Sequence, residues 1–348
     1  MKAQNQRKFK VPRTNLVGNV IKMPTRRISA PSREDKLRRL ITEASDQLCQ
    51  VVDGNLDFVV RVAEPDDDVD KLLLLVNFVL ASARRSFASL SEAHKRLEDD
   101  IAAARTLQRK LLPKSLPRPK NLRVACRFVP ASAVGGDFFD FLRYERCGLH
   151  AGVLADVSGK GAAAAIYAAL TSGMIRSVAQ EELKPNEMLA RLNKNLFARA
   201  PDGQFVALTY STWNDESLML ETCGSGLPEP LLYRNGKVQS LALHGLPLGL
   251  FPDATYESIR VQCEPGDTLL FYTDGIVDAT DDQGNEFGVQ RLCEVLANKA
   301  DSGGDAVVNA VVKKVADHSW SESHMDDQTV MALTVLDPNE QSSSLLYR

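Results

Sequence analysis

An α+β fold preceded by an α-helical coiled-coil module is predicted for this chain of 348 residues, and three observations predict it. A seven-residue apolar repeat runs through residues 73–111. Three prolines, Pro113, Pro117 and Pro119, then close that repeat and mark a boundary. From Leu122 onward, short apolar or alternating stretches broken by Gly and Pro are mixed with two groups of helical periodicity, which fits hairpin-linked strands with segregated helices better than a βαβ repeat.

The helical module begins where Ser32 and Glu34–Asp35 supply a helix start. Leu37, Leu40, Ile41, Ala44, Leu48 and Val51 give it one apolar face, and Gly54 and Asn55 end it. An extended connector with Leu56, Phe58, Val60 and Val62 leads to Pro65 and the acidic run Asp66, Asp67, Asp68 and Asp70, which suits the positive end of a second helix. In that helix Val76, Ala83, Leu90, Leu97, Ala104 and Leu111 recur every seven residues. Leu73, Leu80, Phe87, His94, Ile101 and Gln108 interleave with them. This a/d seam predicts pairing with a second copy, and His94 and Gln108 read as polar residues that set its register.

In the second region, strands are expected at Val124–Val129, Leu149–Ala155, Phe205–Trp213, Ser217–Thr222, Thr268–Tyr272 and Gln328–Val335. Helices are expected at Ala162–Ala179, Pro185–Ala198, Val289–Leu296 and Ala306–His318. The domain boundaries read as 1–34 for a disordered basic tail, 35–112 for the coiled-coil dimerisation and signalling module, 113–338 for the α+β domain, and 339–348 for a tail.

Composition narrows the function classes. A content of 44% hydrophobic and 25% charged residues is that of a soluble globular protein. No run approaches ~18 uninterrupted apolar residues, so no transmembrane segment is expected, and no apolar stretch follows the basic N-terminus as a secretory signal would require. The six cysteines include no C-x-x-C pair, which argues against zinc and a disulfide framework and suits a reducing, cytoplasmic compartment. Residues 1–33 carry nine Lys and Arg and no acid; we read them as solvated tail, not as a nucleic-acid or membrane arm.

Chemistry is concentrated in four segments that read as an apolar strand ending in Asp, followed by small residues or a turn. They are Val134-Gly-Gly-Asp137, Leu154-Ala-Asp156-Val-Ser-Gly-Lys-Gly161, Phe271-Tyr-Thr-Asp274-Gly275 and Met325-Asp326-Asp327-Gln-Thr329. Singly, each is an ordinary turn. Together, strands that deliver their ends to one edge would assemble carboxylates whose mutual repulsion requires cations. Hard oxygen donors suit Mg²⁺ or Mn²⁺, and two such ions can activate water and clamp a phosphoryl group. The Gly159-Lys160-Gly161 stretch lacks the Ser/Thr of a nucleotide-binding P-loop. Lys160 reads either as a solvated lysine or as a phosphate contact.

At these residues the sequence resembles the PPM-type (type 2C-like) metal-dependent serine/threonine protein phosphatases of the SpoIIE/RsbU branch, from about Ala104 to Leu336. The resemblance is carried by Gln108-Arg-Lys-Leu-Leu-Pro113, Pro130 to Asp140, Asp156 to Gly161, Leu246-Pro-Leu-Gly249, Pro265-Gly-Asp267, Tyr272-Thr-Asp-Gly275, Phe287-Gly288 and Asp326-Asp-Gln-Thr329. It implies a four-layer α-β-β-α sandwich with two antiparallel sheets and two Mn²⁺ or Mg²⁺ ions at one sheet edge. It also implies that Asp156 bridges the ions and the Val157 carbonyl is a further ligand, with Asp137 on one ion and Asp274 and Asp326 on the other. Asp140, Asp278 and Asp327 would be supporting or turn residues. The implied substrate is phosphoserine or phosphothreonine on a partner protein, by analogy a STAS-type anti-sigma-factor antagonist in a signal-transduction pathway. A catalytically inactive dimeric scaffold and a small-phosphoester hydrolase are the alternatives. The chain departs from the family at Ser225-Gly-Leu227-Pro228, where Ala-Gly-His-Pro is common, and it lacks the phosphate-binding arginine of eukaryotic relatives. The N-terminal module faintly resembles a HAMP signalling unit through its Gly54-Asn-Leu56 connector.

Overall fold

The computed structural model describes residues 32–52, 59, 68–199, 203–320 and 326–337. The expected basic tail, most of the Gly54–Val62 connector, Met325 and the C-terminal tail lie outside the described residues. The chain divides into two compact units, with the division between Ala93 and His94.

In the first unit, helix α1 spans Arg33–Val52. Its start is built as the sequence suggests. The Asp35 amide donates to Ser32 Oγ at 3.2 Å, and Ser32 N returns a bond to Asp35 Oδ2 at 3.3 Å, so two otherwise orphaned N–H groups are satisfied reciprocally. Helix α2, Asp68–Leu111, is continuous over 44 residues and runs into the second unit. Leu73 and Leu80 are buried, whereas Phe87, Leu90, Leu97 and Ile101 farther along the repeat are exposed. By length and composition, Lys71–Leu111 and Gly161–Glu181 are both long and apolar enough to cross a bilayer, although neither contains the uninterrupted apolar run sought in the sequence. Within the domain, the second of these turns Ala164, Tyr167, Ala168 and Ile175 into the core.

The second unit holds two five-stranded antiparallel sheets. The first is ordered β1-β10-β9-β6-β7 and the second β2-β3-β4-β5-β8. The strands are β1 Leu122–Val129, β2 Phe138–Arg143, β3 His150–Val157, β4 Val206–Asn214, β5 Met219–Ser225, β6 Leu231–Arg234, β7 Lys237–Ser240, β8 Ser258–Gln262, β9 Thr268–Tyr272 and β10 Gln328–Val335. The helices are α3 Gly161–Val178, α4 Pro185–Phe197, α5 Asp274–Val277, α6 Gly288–Lys299 and α7 Gly304–His318.

Three apolar clusters define the four layers. One joins α3 and α4 to the second sheet through Ala164, Ile175, Met188, Leu192, Val153 and Tyr210. Another joins α6 and α7 to the first sheet through Leu292, Leu296, Val311, Leu270 and Val330. Between the sheets, Leu154, Trp213, Leu220, Phe271 and Met331 interlock. Each fully buried Leu or Phe contributes about 1.5–3 kcal/mol relative to exposure. The four-layer α-β-β-α sandwich is therefore present.

Strands β2, β6, β7 and β8 and the short α5 were not foreseen. β6 and β7 form a hairpin over Asn235-Gly236, where φ is 49° and 77°. This Asn-Gly pair accepts the left-handed backbone that a tight hairpin demands, and the signal was present in the sequence. β8 alternates polar and apolar residues, with Ile259 and Val261 packed on the inter-sheet cluster, but the pattern runs for only five residues. The Pro265-Gly-Asp267 motif proves structural. Asp267 is buried, and Arg234 clamps both its oxygens, Nε to Oδ1 at 2.9 Å and Nη2 to Oδ2 at 2.5 Å. The Glu264 amide donates to Oδ2 as well, at 2.8 Å. This pair pins β6 to the turn that opens β9.

Arg234→Ala would leave the buried Asp267 carboxylate without its charge partner. Because the arginine is itself partly exposed, we expect a loss at the low end for such pairs, about 2–3 kcal/mol. Urea unfolding should show a lower midpoint with an unchanged slope.

Candidate metal centre

The register explains why acids from distant stretches meet. β2 and β3 pair with Phe138 opposite Ala155, so Asp137, just before β2, and Asp156, at the end of β3, lie at the same end of the second sheet. β9 and β10 pair with Tyr272 opposite Val330, so Asp274, just after β9, and Asp326–Asp327, just before β10, share one end of the first. β1 also finishes there, with Val129 opposite Gln328. Residues 130–137 then cross from one sheet to the other at that end.

Asp327 fastens this crossing. Its Oδ1 accepts the Ala131 amide at 2.8 Å, and its Oδ2 accepts the amides of Gly136 at 2.6 Å and Asp137 at 3.2 Å. The loop lies so close to the carboxylate that a Cβ on Gly135 would fall 2.0 Å from Asp327 Oδ2. Gly275 is equally constrained, since a Cβ there would fall 2.0 Å from the Asp327 carbonyl oxygen. These glycines are required for close approach of backbone to side chain, not for a turn. A Cβ on Gly136 would lie 2.5 Å from the Val157 carbonyl oxygen, which places that carbonyl against the same loop.

Asp137 is fully buried and is held by two hydroxyls. Thr273 Oγ1 donates to its Oδ2 at 2.8 Å and Thr329 Oγ1 at 2.6 Å. The Thr329 amide donates in turn to Thr273 Oγ1 at 3.0 Å, which fixes the direction of both bonds. Both threonines lie inside the acidic motifs, Thr273 directly before Asp274 and Thr329 two residues after Asp327, where the acids alone point to chemistry. A Thr flanking an Asp at the end of a buried strand was the available signal.

The electrostatics are those of crowded like charges. Burial, then the charge of Asp156, pushes the Asp137 carboxyl well above the carboxylate range, against the pull of the Thr329 and Thr273 hydrogen bonds. Asp156 is pushed up to about 6, first by burial and then by Asp274, with Asp326 and Asp327 adding to it. Desolvation, then Asp326 and Asp278, raises Asp274. Burial raises Asp278 too, followed by Glu286 and Asp326. At the rim, Lys160 Nζ lies 3.4 Å from Asp326 Oδ2, so Lys160 is a residue of this cluster and not a remote surface lysine.

The cluster thus gathers Asp137, Asp156, Asp274, Asp326 and Asp327. Among the described residues, no three acid, histidine or cysteine side chains form a closed ion cage. The donor chemistry nevertheless fits a hard divalent cation: every candidate ligand is an oxygen, and the raised carboxyls register negative charge that a cation would neutralise.

Asp140 stands apart from the cluster. It is buried against α3, where Arg176 Nη2 donates to its Oδ1 at 2.9 Å and Arg176 Nε lies 2.8 Å from its Oδ2. It ties β2 to α3. Gln108, which reads as a polar interruption of the heptad seam, reaches the crossing loop. Its Nε2 donates to the Gly135 carbonyl at 2.5 Å, and its Oε1 accepts the Gly135 amide at 3.1 Å.

Two antiparallel sheets between helical layers, with carboxylates collected at one end, define a phosphatase fold of the PP2C class. The SiaA-PP2C domain of Pseudomonas aeruginosa superposes with a TM-score of 0.62 at 22% identity, covering 70% of this chain and 99% of that one. The RsbU and RsbW domains of Rv1364c from Mycobacterium tuberculosis superpose with a TM-score of 0.57 at 22% identity, over 65% and 63% of the two chains. The family model for stage II sporulation protein E matches residues 149–336, and the chain belongs to that SpoIIE family. Among characterised relatives, phosphoserine phosphatase RsbU of Bacillus subtilis is 23% identical over 71% of this chain and 70% of its own length. Protein IcfG of Synechocystis is 25% identical over 84% of this chain, which spans half of IcfG.

Thr273→Val removes one of the two hydroxyls that hold Asp137 while keeping the side-chain shape. We expect Mn²⁺ affinity to fall about tenfold to a hundredfold with little loss of helix or strand signal, measured by calorimetry and circular dichroism. A second expectation follows from Asp156. Its carboxyl in the fold, at about 6, lies above its ordinary value of 3.8, so its contribution favours the cation-free fold below about pH 4 and is lost as pH rises through 6. A divalent cation opposes that loss. The rise in melting temperature on adding Mn²⁺ should be large at pH 7 and shrink markedly by pH 5.

Proposed function

We propose that this chain is a metal-dependent protein phosphatase that hydrolyses phosphoserine or phosphothreonine on a partner protein, with Asp137, Asp156, Asp274 and Asp326 and the Val157 carbonyl as metal ligands. The observation that carries this reading is the convergence of these carboxylates, two from each sheet, at one end of the sandwich. Membership of the SpoIIE family and similarity to a phosphoserine phosphatase support it. Two Mn²⁺ or Mg²⁺ ions held there would supply Lewis-acid chemistry and an activated water.

The protein's own part is positioning. Thr273 and Thr329 fix the rotamer of Asp137, and Asp327 fixes the backbone that carries it. Asp156 lies between Asp137 and the Asp274–Asp326 pair in the order of their mutual repulsions. Lys160 puts a positive charge at the rim, where an anionic substrate enters. No side chain is needed as nucleophile. We assign the leaving oxygen's proton to no side chain.

By analogy with RsbU, we take the substrate to be a phosphorylated STAS-type anti-sigma-factor antagonist in a partner-switching pathway, and the compartment to be the cytoplasm. The exposed Phe87, Leu90, Leu97 and Ile101 on α2 continue the heptad repeat, and we propose that a second copy of the chain covers them to form a homodimer. In this reading residues 35–112 are a dimerisation and signalling module. Gln108 is the point at which α2 touches the loop carrying Asp137.

Phosphate release from a phosphoserine protein should require Mn²⁺ or Mg²⁺ and fall by more than about a hundredfold in Asp156→Asn, beyond what loss of a mere supporting partner causes. Release that persists in EDTA would refute the reading, and faster turnover of p-nitrophenyl phosphate than of any phosphoprotein would favour a small-ester hydrolase. Inserting four residues near Leu90 shifts the heptad register and should change activity without changing metal affinity. If a fragment beginning at about residue 115 kept the kinetics of the full chain, control through α2 would be ruled out.

A further inference from the structure

Beside the Gln108–Gly135 contact lies a second feature that the metal centre does not use. A cavity of about 280 Å³ opens between the end of α2 and β1. Its walls include the apolar side chains of Leu112, Phe128 and Phe139, which belong to the cluster between the sheets. Arg105 and Arg109 line it from successive turns of α2, and Arg127 lines it from β1. No acidic residue is among the lining side chains. Among the described residues, none of the three arginines makes an ion pair or hydrogen bond to another side chain or to backbone.

Three unpaired guanidinium groups around an apolar recess repel one another and have no internal use for their donors. Arginine's planar fork is made for carboxylate and phosphate oxygens. The walls below ask for hydrocarbon or an aromatic ring. The volume lies near the lower end of small-molecule sites, roughly 300–1,000 Å³.

We propose that this cavity is a binding site for a small amphipathic organic anion, a carboxylate or phosphate monoester carrying a short apolar body. The anionic head is held by Arg105, Arg109 and Arg127, and the body rests on Leu112, Phe128 and Phe139. Such a ligand ties α2 to β1 beside Gln108, and so adds a contact at the point where the long helix meets the crossing loop. The site is distinct from the carboxylate cluster, which has the opposite charge, and it does not depend on the phosphatase reading.

The test is calorimetric titration of the full chain with octanoate, below its aggregation concentration, and with 1-octanol as the uncharged counterpart. Octanoate is expected to bind at one site per chain and octanol at least tenfold more weakly. The three arginines are exposed, so Arg109→Gln and Arg127→Gln should fold normally. Each should weaken octanoate about tenfold, the loss of one charge-assisted contact, and leave octanol unchanged. Lys314→Gln, a cation on α7, should change neither. Equal affinity for octanoate and octanol would overturn the proposal, and so would octanoate binding indifferent to both arginine substitutions. Binding of a capped Glu-Leu-Glu peptide without binding of octanoate would overturn it too, in favour of a protein partner.

Discussion

The structure depends on restraining carboxylates that repel one another. Five aspartates are brought to one end of the sandwich, and Asp137 is taken out of water altogether. Left to itself, such a group would splay apart or take up protons. What opposes that here is directional. Three backbone amides point at Asp327, and two threonine hydroxyls point at one oxygen of Asp137. These donors stabilise charge without contributing a competing cation, so the cluster keeps its appetite for a divalent ion. Lys160, at the solvent-facing rim, is of the opposite sign.

The two sheets contribute unequally to this arrangement. The first sheet supplies the frame: Thr273, Asp327 and Thr329 all lie at the adjoining ends of β9 and β10. The second supplies Asp137 and Asp156 on a hairpin whose register places them side by side. The crossing loop links the sheets at this end, and Asp327 holds it at Ala131, Gly136 and Asp137. Neighbouring positions in one motif therefore do different work. Asp326 faces solvent and the cluster, while Asp327 is buried and faces backbone.

Much of this was legible in the sequence, because an aspartate at the end of an apolar strand is costly unless used, and four such ends in one chain point to a common destination. The layering was legible only by resemblance, since alternation locates strands but does not say which sheet receives them. Strands β2 and β8 escaped notice for opposite reasons. Phe138–Arg143 is mostly apolar beside a glycine loop and shows no alternation, whereas Ser258–Gln262 alternates but over only five residues. Gln108 was visible as a flaw in a heptad seam. That reading accounts for its position on the helix but not for the loop it grips, because the contact joins residues 27 apart through the fold. Asp140 shows the reverse case: it shares a motif with Asp137, yet three residues on, within β2, it faces α3 and Arg176.

The crossing loop carries a consequence for how damage would spread through this molecule. Because Asp137 hangs on one sheet and its fastenings on the other, its position measures the alignment of the two sheets. A small slip in the packing of Leu154 and Phe271 between the sheets would be felt first as a misplaced Asp137 carboxylate, while every strand remained paired. The centre is thus a vernier for the sandwich, and ion affinity should decay under mild injury to the inter-sheet core well before the architecture itself gives way.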